Sequence, residues 1–404
     1  MKSLLKIIPF TLLFLNCGGS KIEKLLKTGN VVQKDFSVTI PFEYRQGLMI
    51  IKAEIGGNTY DFILDTGASN VLSKDLNVKL GLQPIDAALV YGSQGASQQL
   101  EYTSVKTITI GGIGFTNTIA AIHDFNAVTE LACMNIKGII GANLMRQAVW
   151  DIDFKNQNIT ITNTEESLEI PSEYKEAKFF IGYQGTPSII TNVNGIRVLN
   201  NRIDTGYNGN ISFSKLEFQK LTKDKKLTNY VTGTGITGVG IYGAGKTETF
   251  YKGLIEKMTL GKLTLDSPIV ASFSGRNRKL IGVEFLKNYR VIFNWNTRRI
   301  KFIETTPSSN SSFDTFGYGL SFEENKIYIR SIIEKSSADR SGLQIGDQVL
   351  GLNDIDCSTI SAEQWCEKSK NDWITPSEKS ITMTINRDNK VTKINLEKLE
   401  VLKQ

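Results

Sequence analysis

The hydrophobic positions of this chain fall in short apolar runs, and two of these runs lead into the same tripeptide. Phe62–Leu64 leads into Asp65-Thr66-Gly67, and a shorter run that ends at Ile203 leads into Asp204-Thr205-Gly206. Apolar runs of this length, bounded by turn residues, are typical of buried strands. The glycine after each carboxylate permits a tight turn with the backbone close to the side chain. The pattern therefore predicts two buried strands that each lead into an aspartate.

The segments around the two tripeptides also correspond to one another along the chain. An apolar-apolar-Gly segment follows each tripeptide at a similar distance, and an Asp or Asn turn between two strand-like runs follows each of those. A repeat of about 140 residues is the size of one domain and is too long for a solenoid period. The corresponding pairs are Lys106–Gly111 with Glu256–Gly261, Gly138–Leu144 with Leu280–Leu286, and Asp153–Ile161 with Asn294–Phe302.

This duplicated pattern resembles the pepsin and retropepsin superfamily of aspartic proteases over roughly residues 36–305. The resemblance implies a mainly β fold with two retropepsin-like β-barrel lobes in one chain, residues 36–168 and 169–304. It also implies that the catalytic aspartates are Asp65 and Asp204, one from each lobe. Two adjacent carboxyl groups cannot both ionise cheaply, so such a pair shares one proton around a water. We expect no metal ion and no cofactor.

The resemblance also assigns supporting roles around this pair of aspartates. The two active-site loops would contain Thr66, Gly67, Thr205 and Gly206, with the threonines forming a hydrogen-bond lattice beneath the carboxyl groups. One position departs from the family pattern. Tyr207 follows the second tripeptide, where a small or hydroxyl-bearing residue is more usual, and its ring could narrow the cleft or tilt the neighbouring carboxylate. A peptide-binding protein that keeps the protease fold without cutting is therefore the alternative function.

A hairpin that closes over the substrate is expected from the same family. The candidate flap in the first lobe is the glycine-containing stretch Val90–Gly95, with Tyr91 and Gly92 at its tip. Glycines and polar residues at this place fit a mobile hairpin. Gly233–Gly245 is the corresponding stretch in the second lobe. An ordinary surface hairpin remains the other interpretation of both stretches.

Composition excludes several other functions. The chain has 1 histidine, so a histidine-rich metal site is excluded and a Ser-His-Asp triad would depend on His123 alone. We interpret His123 as a loop histidine. The net charge of +6 is mild for 404 residues and no basic stripe carries interleaved aromatics. Nucleic-acid binding is therefore not expected.

The first residues have the pattern of an export signal. A basic segment, Met1–Lys6, precedes a short apolar core, Ile7–Leu15, and then Cys17. The core is too short to span a bilayer as a permanent helix. We predict a signal peptide over residues 1–17 with lipidation of Cys17, as in bacterial lipoproteins, and a plain cleaved signal is the alternative. Either reading predicts export to the cell envelope, in the periplasm or at the outer membrane, with residues 18–35 as a tether.

Three further cysteines are Cys133, Cys357 and Cys366. Export permits disulfide bonds. A bond between Cys357 and Cys366 is possible, but these residues are close together in the sequence and the start of a helix separates them. Cys133 has no obvious partner.

The C-terminal part is predicted to be a separate domain. A Ser/Thr/Pro-rich stretch at residues 305–313 reads as a linker. Residues 314–400 resemble a bacterial PDZ domain, an α+β fold, with Gly342–Leu350 as the strongest motif. A capping box at Ser361–Gln364 predicts the helix that lines the peptide groove in that family. The resemblance assigns the carboxylate-binding loop to Gly319, Leu320, Ser321 and Phe322.

A PDZ domain captures a peptide C-terminus by strand addition. We therefore expect it to dock a substrate or partner beside an aspartic endopeptidase that acts on peptides or proteins and is held at the membrane by its lipid. The alternatives are a domain that only stabilises the lobes and one that regulates cleavage. Because both aspartates come from one chain, the catalytic unit is predicted to be monomeric.

Overall fold

A computed structural model describes residues 21–92, 94–265, 267–275, 278–306, 312–370 and 373–403. The predicted signal peptide, Cys17 and most of the linker at residues 305–313 lie outside these ranges. The protein is mainly β, as expected. In the part of the chain that the structure describes, no helix combines the length and apolarity needed to cross a membrane.

The first lobe contains a nine-stranded sheet, three strands that belong to a second sheet, and several short helices. The strand order is β1-β9-β6-β10-β5-β4-β8-β7, with β3 beside β4. Its strands are β1 Asn30–Val31, β2 Ser37–Pro41, β3 Glu43–Arg45, β4 Leu48–Ile55, β5 Asn58–Asp65, β6 Val71–Ser73, β7 Pro84–Tyr91, β8 Ser97–Ile110, β9 Ile113–His123, β10 Gly138–Gly141, β11 Val149–Asp153 and β12 Asn158–Thr162. The α-helices are α1 Lys21–Leu25, α2 Lys74–Lys79, α3 Thr129–Ala132 and α4 Ala142–Met145, with 3₁₀ turns at Phe125–Ala127 and Glu165–Ser167.

The second lobe repeats this arrangement with shorter strands. Its strands are β13 Lys175–Lys178, β14 Phe180–Ile181, β15 Pro187–Val193, β16 Ile196–Ile203, β17 Ile211–Phe213, β18 Tyr230–Gly235, β19 Val239–Gly240, β20 Gly243–Ala244, β21 Glu248–Ile255, β22 Met258–Leu260, β23 Leu263–Leu265, β24 Ile269–Phe273, β25 Leu280–Ile281, β26 Tyr289–Asn294 and β27 Arg299–Glu304. Its helices are α5 Lys215–Lys223 and α6 Val283–Leu286.

The C-terminal domain has its own apolar core around Val349 and Trp365. The capping box opens its longer helix as predicted, because the Ser361 backbone N–H donates to Gln364 and the Gln364 backbone N–H donates to the Ser361 hydroxyl. Its strands are β28 Phe313–Thr315, β29 Tyr318–Glu323, β30 Lys326–Ile333, β31 Gln348–Leu352, β32 Ile355–Asp356, β33 Ser380–Arg387, β34 Lys390–Glu397 and β35 Leu399–Leu402, and its helices are α7 Ser337–Arg340 and α8 Ala362–Lys370.

The strand pairing confirms that the two lobes are copies of one unit. In lobe 1, β10 lies parallel to β5 and antiparallel to β6, and it places Gly141 opposite Asp65. In lobe 2, β25 lies parallel to β16 and antiparallel to β17 in the same way. In each lobe, the apolar-apolar-Gly strand therefore lies between the aspartate-bearing strand and the strand that follows it in the sequence.

The lobes share one sheet and one apolar core. The six strands of this sheet run in the order β13-β27-β26-β11-β12-β2, three from each lobe, and β11 pairs directly with β26. Arg290 binds Asp151 across this junction, with 2.6 Å between Nη2 and Oδ2. Because the apolar cluster continues through both lobes, the two aspartates are positioned by a common base.

The described part of the predicted tether is folded onto lobe 1, so that expectation is wrong from residue 21 onward. Ile22 and Leu26 on and just after α1 are 3% and 1% exposed. Residues Asn30 and Val31 form β1, which pairs with β9. The helix is only 5 residues long, and the lysines among its apolar residues obscure the amphipathic spacing.

Two links join the C-terminal domain to the lobes. The end of β30 pairs with β18 of lobe 2, with Gly233 opposite Ile333. A disulfide between Cys133 and Cys366 connects the end of α3 in lobe 1 to α8. The bond considered between Cys357 and Cys366 is wrong, because the Cys357 thiol is free and fully buried in the core of the C-terminal domain.

Candidate active site

The structure brings the two predicted aspartates together at the centre of the molecule. Asp65 is the last residue of β5, and Asp204 directly follows β16. Their carboxyl groups lie within hydrogen-bonding reach of each other. Each one also lies against the glycine of the opposite tripeptide. A Cβ added to Gly67 would stand 2.4 Å from Asp204 Cγ, and one added to Gly206 would stand 2.2 Å from Asp65 Oδ2. Any side chain at either glycine would displace the facing carboxyl group.

The same glycines donate hydrogen bonds that orient the carboxyl groups. The Gly67 backbone N–H donates to Asp65 Oδ1 at 2.6 Å, and the Gly206 backbone N–H donates to Asp204 Oδ1 at 3.0 Å. One oxygen of each carboxyl group is therefore fixed by its own loop. The remaining oxygens are available to each other and to a ligand in the cleft.

The threonines form a reciprocal lattice between the lobes. The Thr66 backbone N–H donates to the Thr205 hydroxyl at 3.0 Å, and the Thr205 backbone N–H donates to the Thr66 hydroxyl at 3.1 Å. The Thr66 hydroxyl in turn donates to the Ile203 carbonyl, and the Thr205 hydroxyl donates to the Leu64 carbonyl, at 2.7 and 2.8 Å. Both threonines are fully buried. This lattice sets the separation of the two loops.

Two asparagines that the sequence interpretation did not single out hold the first loop from behind. The Asn70 backbone N–H donates to Asn143 Oδ1 at 2.7 Å, and the Gly141 backbone N–H donates to Asn70 Oδ1 at 2.8 Å. Asn143 Nδ2 also donates to the Ile119 carbonyl. The position of Asn143 two residues after Gly141 was the available signal. In lobe 2 the backbone alone makes the corresponding contact, from Gly282 N–H to the Asn210 carbonyl.

Burial raises the pKa of both carboxyl groups, and repulsion by Asp204 raises the pKa of Asp65 further. The pKa of Asp65 is raised well above its usual value by burial and then by the neighbouring Asp204. Burial also raises the pKa of Asp204, while the positive charges of Arg202 and Arg278 oppose the rise. Two such groups titrate as one coupled pair. The pair therefore retains a shared proton at pH values where an exposed aspartate has lost its own.

An open cleft of about 800 Å³ contains the two aspartates. All three parts of the chain form its walls. In the described residues, no group of three or more His, Cys, Asp or Glu side chains could hold a metal ion. The walls include Leu48, Ile63, Leu100, Tyr102 and Ile139 from lobe 1, Tyr207, Phe250 and Leu280 from lobe 2, and Phe313, Thr315, Tyr318, Arg330 and Ile333 from the C-terminal domain.

Hairpins from both lobes meet above this cleft. In lobe 1, Tyr91 ends β7, is 72% exposed and lines the cleft, and the Gly92 backbone N–H donates to the Ala96 carbonyl across the tip. A Cβ on Gly92 would stand 2.8 Å from the ring of Tyr242, which lies between β19 and β20 of lobe 2. Gln94 likewise lies against Gly238 of lobe 2. The two predicted flap stretches are therefore in direct contact.

Tyr242 also packs against the single histidine of the chain, His123. His123 is at the end of β9 and only 5% exposed, so its interpretation as a loop histidine is wrong. Its ring packs edge-on against Phe125 and Tyr242, with centroids 5.4 and 5.5 Å away. Burial lowers the pKa of His123. The histidine serves as a contact for the lobe 2 hairpin.

The ring of Tyr207 fits into a gap that two glycines leave. A Cβ on Gly209 would stand 2.3 Å from the Tyr207 hydroxyl, and one on Gly282 would stand 2.6 Å from its Cδ1. The ring therefore folds back onto its own loop, although it still lines the cleft. The Tyr207 backbone N–H donates to the Asp204 carbonyl at 3.2 Å, which keeps the tight turn intact.

Comparison with known protein families supports this arrangement. Residues 51–144 match the aspartyl protease family model, and residues 306–386 match the PDZ domain model. The chain contains an aspartyl protease domain and a PDZ domain. The protease match includes Asp65 and ends before lobe 2, so Asp204 is connected to it through the internal repeat and the geometry of the site. No curated protein matches the chain.

The PDZ domain presents its predicted peptide-binding residues on a strand. Gly319, Leu320, Ser321 and Phe322 all lie within β29, and a turn at residues 316–317 precedes them. Among the described residues, β29 pairs only with β30, which leaves its other edge open for strand addition. Phe322 stacks on Trp365 of α8 with 5.3 Å between ring centroids. A role for these residues in binding peptides stays a prediction.

Proposed function

We propose that the protein is an aspartic endopeptidase that hydrolyses peptide bonds with a water activated by Asp65 and Asp204. The observation that carries the proposal is the adjacent carboxyl pair, each member of which faces the glycine of the opposite tripeptide. The reciprocal threonine lattice supports it, since the lattice fixes both loops from one common base.

The chemistry follows from the shared proton. With one proton on the pair, the ionised carboxylate accepts a proton from a water held between the two groups. The protonated carboxyl donates a hydrogen bond to the oxygen of the scissile carbonyl. The water oxygen attacks the carbonyl carbon, the C–N bond breaks, and a proton passes to the leaving nitrogen. The coupled pair can supply both functions, so neither aspartate is assigned to one of them alone.

The PDZ domain is proposed to dock a substrate or a partner at the end of the catalytic cleft. Support comes from Thr315, Tyr318 and Arg330, which line the same cleft as the aspartates. The open edge of β29 provides the hydrogen-bonding groups that strand addition requires.

Export and lipid anchoring form part of the proposal and rest on the pattern of residues 1–17. The Cys133–Cys366 disulfide supports an oxidising compartment, because such bonds persist mainly outside the cytosol. Labelling with a radioactive fatty acid would test the anchor, and an unlabelled Cys17→Ala variant is the control. Equal labelling of both proteins would refute lipidation at this cysteine.

Cleavage of a peptide library tests the activity directly. We expect a soluble protein starting after Cys17 to cleave between about pH 4 and 8, where a coupled pair passes through its singly protonated form. Asp65→Asn and Asp204→Asn should each lower the rate by about 10²–10⁴-fold. Failure to cleave at any pH, with retained peptide binding, would favour the alternative of a peptide-binding protein that does not cut.

A further inference from the structure

The half of the cleft formed by lobe 2 and the PDZ domain carries four cationic side chains. Arg202, Lys252 and Arg278 come from lobe 2, Arg330 comes from the PDZ domain, and all four line the cleft. The positive charges of Arg202 and Arg278 act on each other and on Asp204. Arg202 and Arg278 are therefore close to the aspartate pair, and Lys252 and Arg330 line the same cleft.

Lobe 1 has neutral side chains at the positions equivalent to Arg202 and Lys252. Lys137, the equivalent of Arg278, lies outside the cleft and binds Asp75. Ile63 stands two residues before Asp65, as Arg202 stands two residues before Asp204, and both line the cleft. Tyr102 on β8 likewise corresponds to Lys252 on β21. Because the lobes are copies of one unit, the fold does not require charge at these places. The cations are a specific property of one half of the cleft.

Lys252 and Arg278 have neutral partners, which are hydroxyl groups and, for Lys252, also the ring of Phe313 at 4.8 Å from Nζ to the centroid. Lys252 Nζ donates to Ser272 Oγ at 3.1 Å, and Arg278 Nη1 donates to the hydroxyls of Thr237 and Ser274 at 3.2 Å each. Across the described ranges, no carboxylate lies within 4.0 Å of any of the four cations.

The nearby acidic groups are engaged elsewhere or lie too far away to form a pair. Glu248 binds Lys215 at 2.7 Å and accepts from the Gly275 backbone N–H. The negative charge of Glu130 raises the pKa of Arg330, but the two described side chains do not form an ion pair. The Nε atoms of Arg278 and Arg330 are buried and have no hydrogen-bond partner among the described residues.

All four cations are half-buried. Cations that are partly removed from water without an ion-pair partner are costly, and a ligand carboxylate in the same place removes much of that cost. Burial lowers the pKa of Lys252, Arg278 and Arg330, and the nearby acidic groups only partly oppose this effect at the two arginines. Arginine also binds carboxylates through two parallel hydrogen bonds. An anionic group of the substrate could therefore bind to cations that are already in place and have no ion-pair partner.

We propose that this half of the cleft is a carboxylate-binding subsite, so that the protein selects peptides with an acidic group on one side of the scissile bond. The acidic group is an Asp or Glu side chain or the free C-terminus of the peptide. This inference rests on the proposed function and adds to it the chemical class of the substrate. The opposite side of the scissile bond would face the half of the cleft formed by lobe 1, which is lined largely by apolar side chains and contains no cation among the described residues.

Matched peptides test the subsite. From the sites cleaved in a library, one peptide is made with Glu at the selected position, one with Gln there, and each with a free or an amidated C-terminus. We expect kcat/KM to fall roughly 10–100-fold from Glu to Gln if a side chain is bound, or by the same factor on amidation if the terminus is bound, as for a charged hydrogen bond. Cleavage that is equal for all four peptides would overturn the subsite and leave the proposed function intact.

A charge reversal provides the second test. Lys252→Glu should reverse the preference, so that peptides with Lys at the selected position are cleaved faster than those with Glu. A purely structural role for Lys252 would lower all rates without this reversal. Lys220→Met is the control, since Lys220 is an exposed cation on α5 away from the cleft.

Binding separates failure of the subsite from failure of the protease. Fluorescence anisotropy with the Asp204→Asn variant should show weaker binding of the Gln peptide than of the Glu peptide. If the wild type cleaves nothing, the proposed function fails. A persisting binding difference would then still establish the subsite, and equal binding would refute it.

Discussion

At the scale of single residues, the geometry of the site requires two positions that have no side chain. Gly67 and Gly206 are required because each faces the other lobe's carboxyl group at a distance that leaves no room for a Cβ. The aspartates, threonines and glycines of both tripeptides could be found in the sequence because they are contiguous. The position of Asn143 shortly after Gly141 was a sequence signal, but its contact with Asn70 could not be found, since only the folded lobe brings these two positions together.

The raised pKa of the aspartate pair predicts a pH-dependent stability. Above about pH 4 the unfolded chain releases protons that the folded pair retains, so the free energy of unfolding falls as pH rises through the raised pKa. Asp65→Asn removes one of these groups and should reduce that fall. Urea denaturation between pH 4 and 8 checks this. If the free energies of unfolding of wild type and variant changed with pH in parallel, the pKa of the aspartate pair would not be raised in the folded protein.

The contact between Tyr207 and Gly209 predicts an effect of a single methyl group. Gly209→Ala places a Cβ where the Tyr207 hydroxyl lies, so the ring must leave its gap and move in the cleft. We expect kcat/KM to fall about tenfold or more, which corresponds to a displacement costing 1.4 kcal/mol. The double variant Gly209→Ala/Tyr207→Ala should recover most of this loss. A fall that persists in the double variant would mean that the ring is not responsible.

At the scale of elements, the contact between the two hairpins is the feature that governs access to the aspartates. The glycines of Val90–Gly95 pointed to a flap, but nothing local showed that its tip would touch lobe 2. The same limitation applies to α1, whose Ile22 and Leu26 acquire a partner only when lobe 1 has formed. Elements whose apolar residues recur at a regular spacing could be predicted from the sequence. Contacts between elements distant in sequence were not.

Removal of the Tyr242 ring should loosen the hairpin contact. Tyr242→Ala deletes the group that packs between Gly92 and His123. We expect faster amide hydrogen exchange at the tip of β7 and β8 and a raised KM, because a flap that closes less often holds substrate less well. Tyr174→Ala, near Lys301 and away from the cleft, is the control. Unchanged exchange at the tip would show that Tyr242 does not restrain the flap.

At the scale of the whole molecule, the three parts of the chain act as one body around the cleft. The lobes share a sheet, β30 extends the sheet of lobe 2, and the disulfide ties α8 to lobe 1. The sequence showed the two lobes and the PDZ domain as separate units because each has its own pattern. It could not show the pairing of Cys133 with Cys366, since docking alone makes these distant residues neighbours.

Loss of the disulfide should lower stability without unfolding either domain. Cys366→Ser opens a covalent loop with a sequence separation of 233 residues, and such a loss typically costs about 2–5 kcal/mol. We expect a lower Tm for the cooperative transition and a PDZ domain more accessible to limited proteolysis. Cys133→Ser should behave alike, since it removes the same bond. A single variant with the stability and protease resistance of the wild type would contradict this.

The short strand pairing between β18 and β30 also affects what happens when the PDZ domain is removed from the two lobes. A fragment that contains the two lobes and ends near residue 305 would lack the PDZ domain. It would expose the backbone groups of Gly233–Gly235, which pair with β30 in the full structure. That edge contains neither a charge nor a proline to discourage a foreign strand. Such a fragment is expected to self-associate, which sedimentation would detect. The PDZ domain therefore also protects a sheet edge, and this gives it a role in solubility that would persist without any peptide ligand.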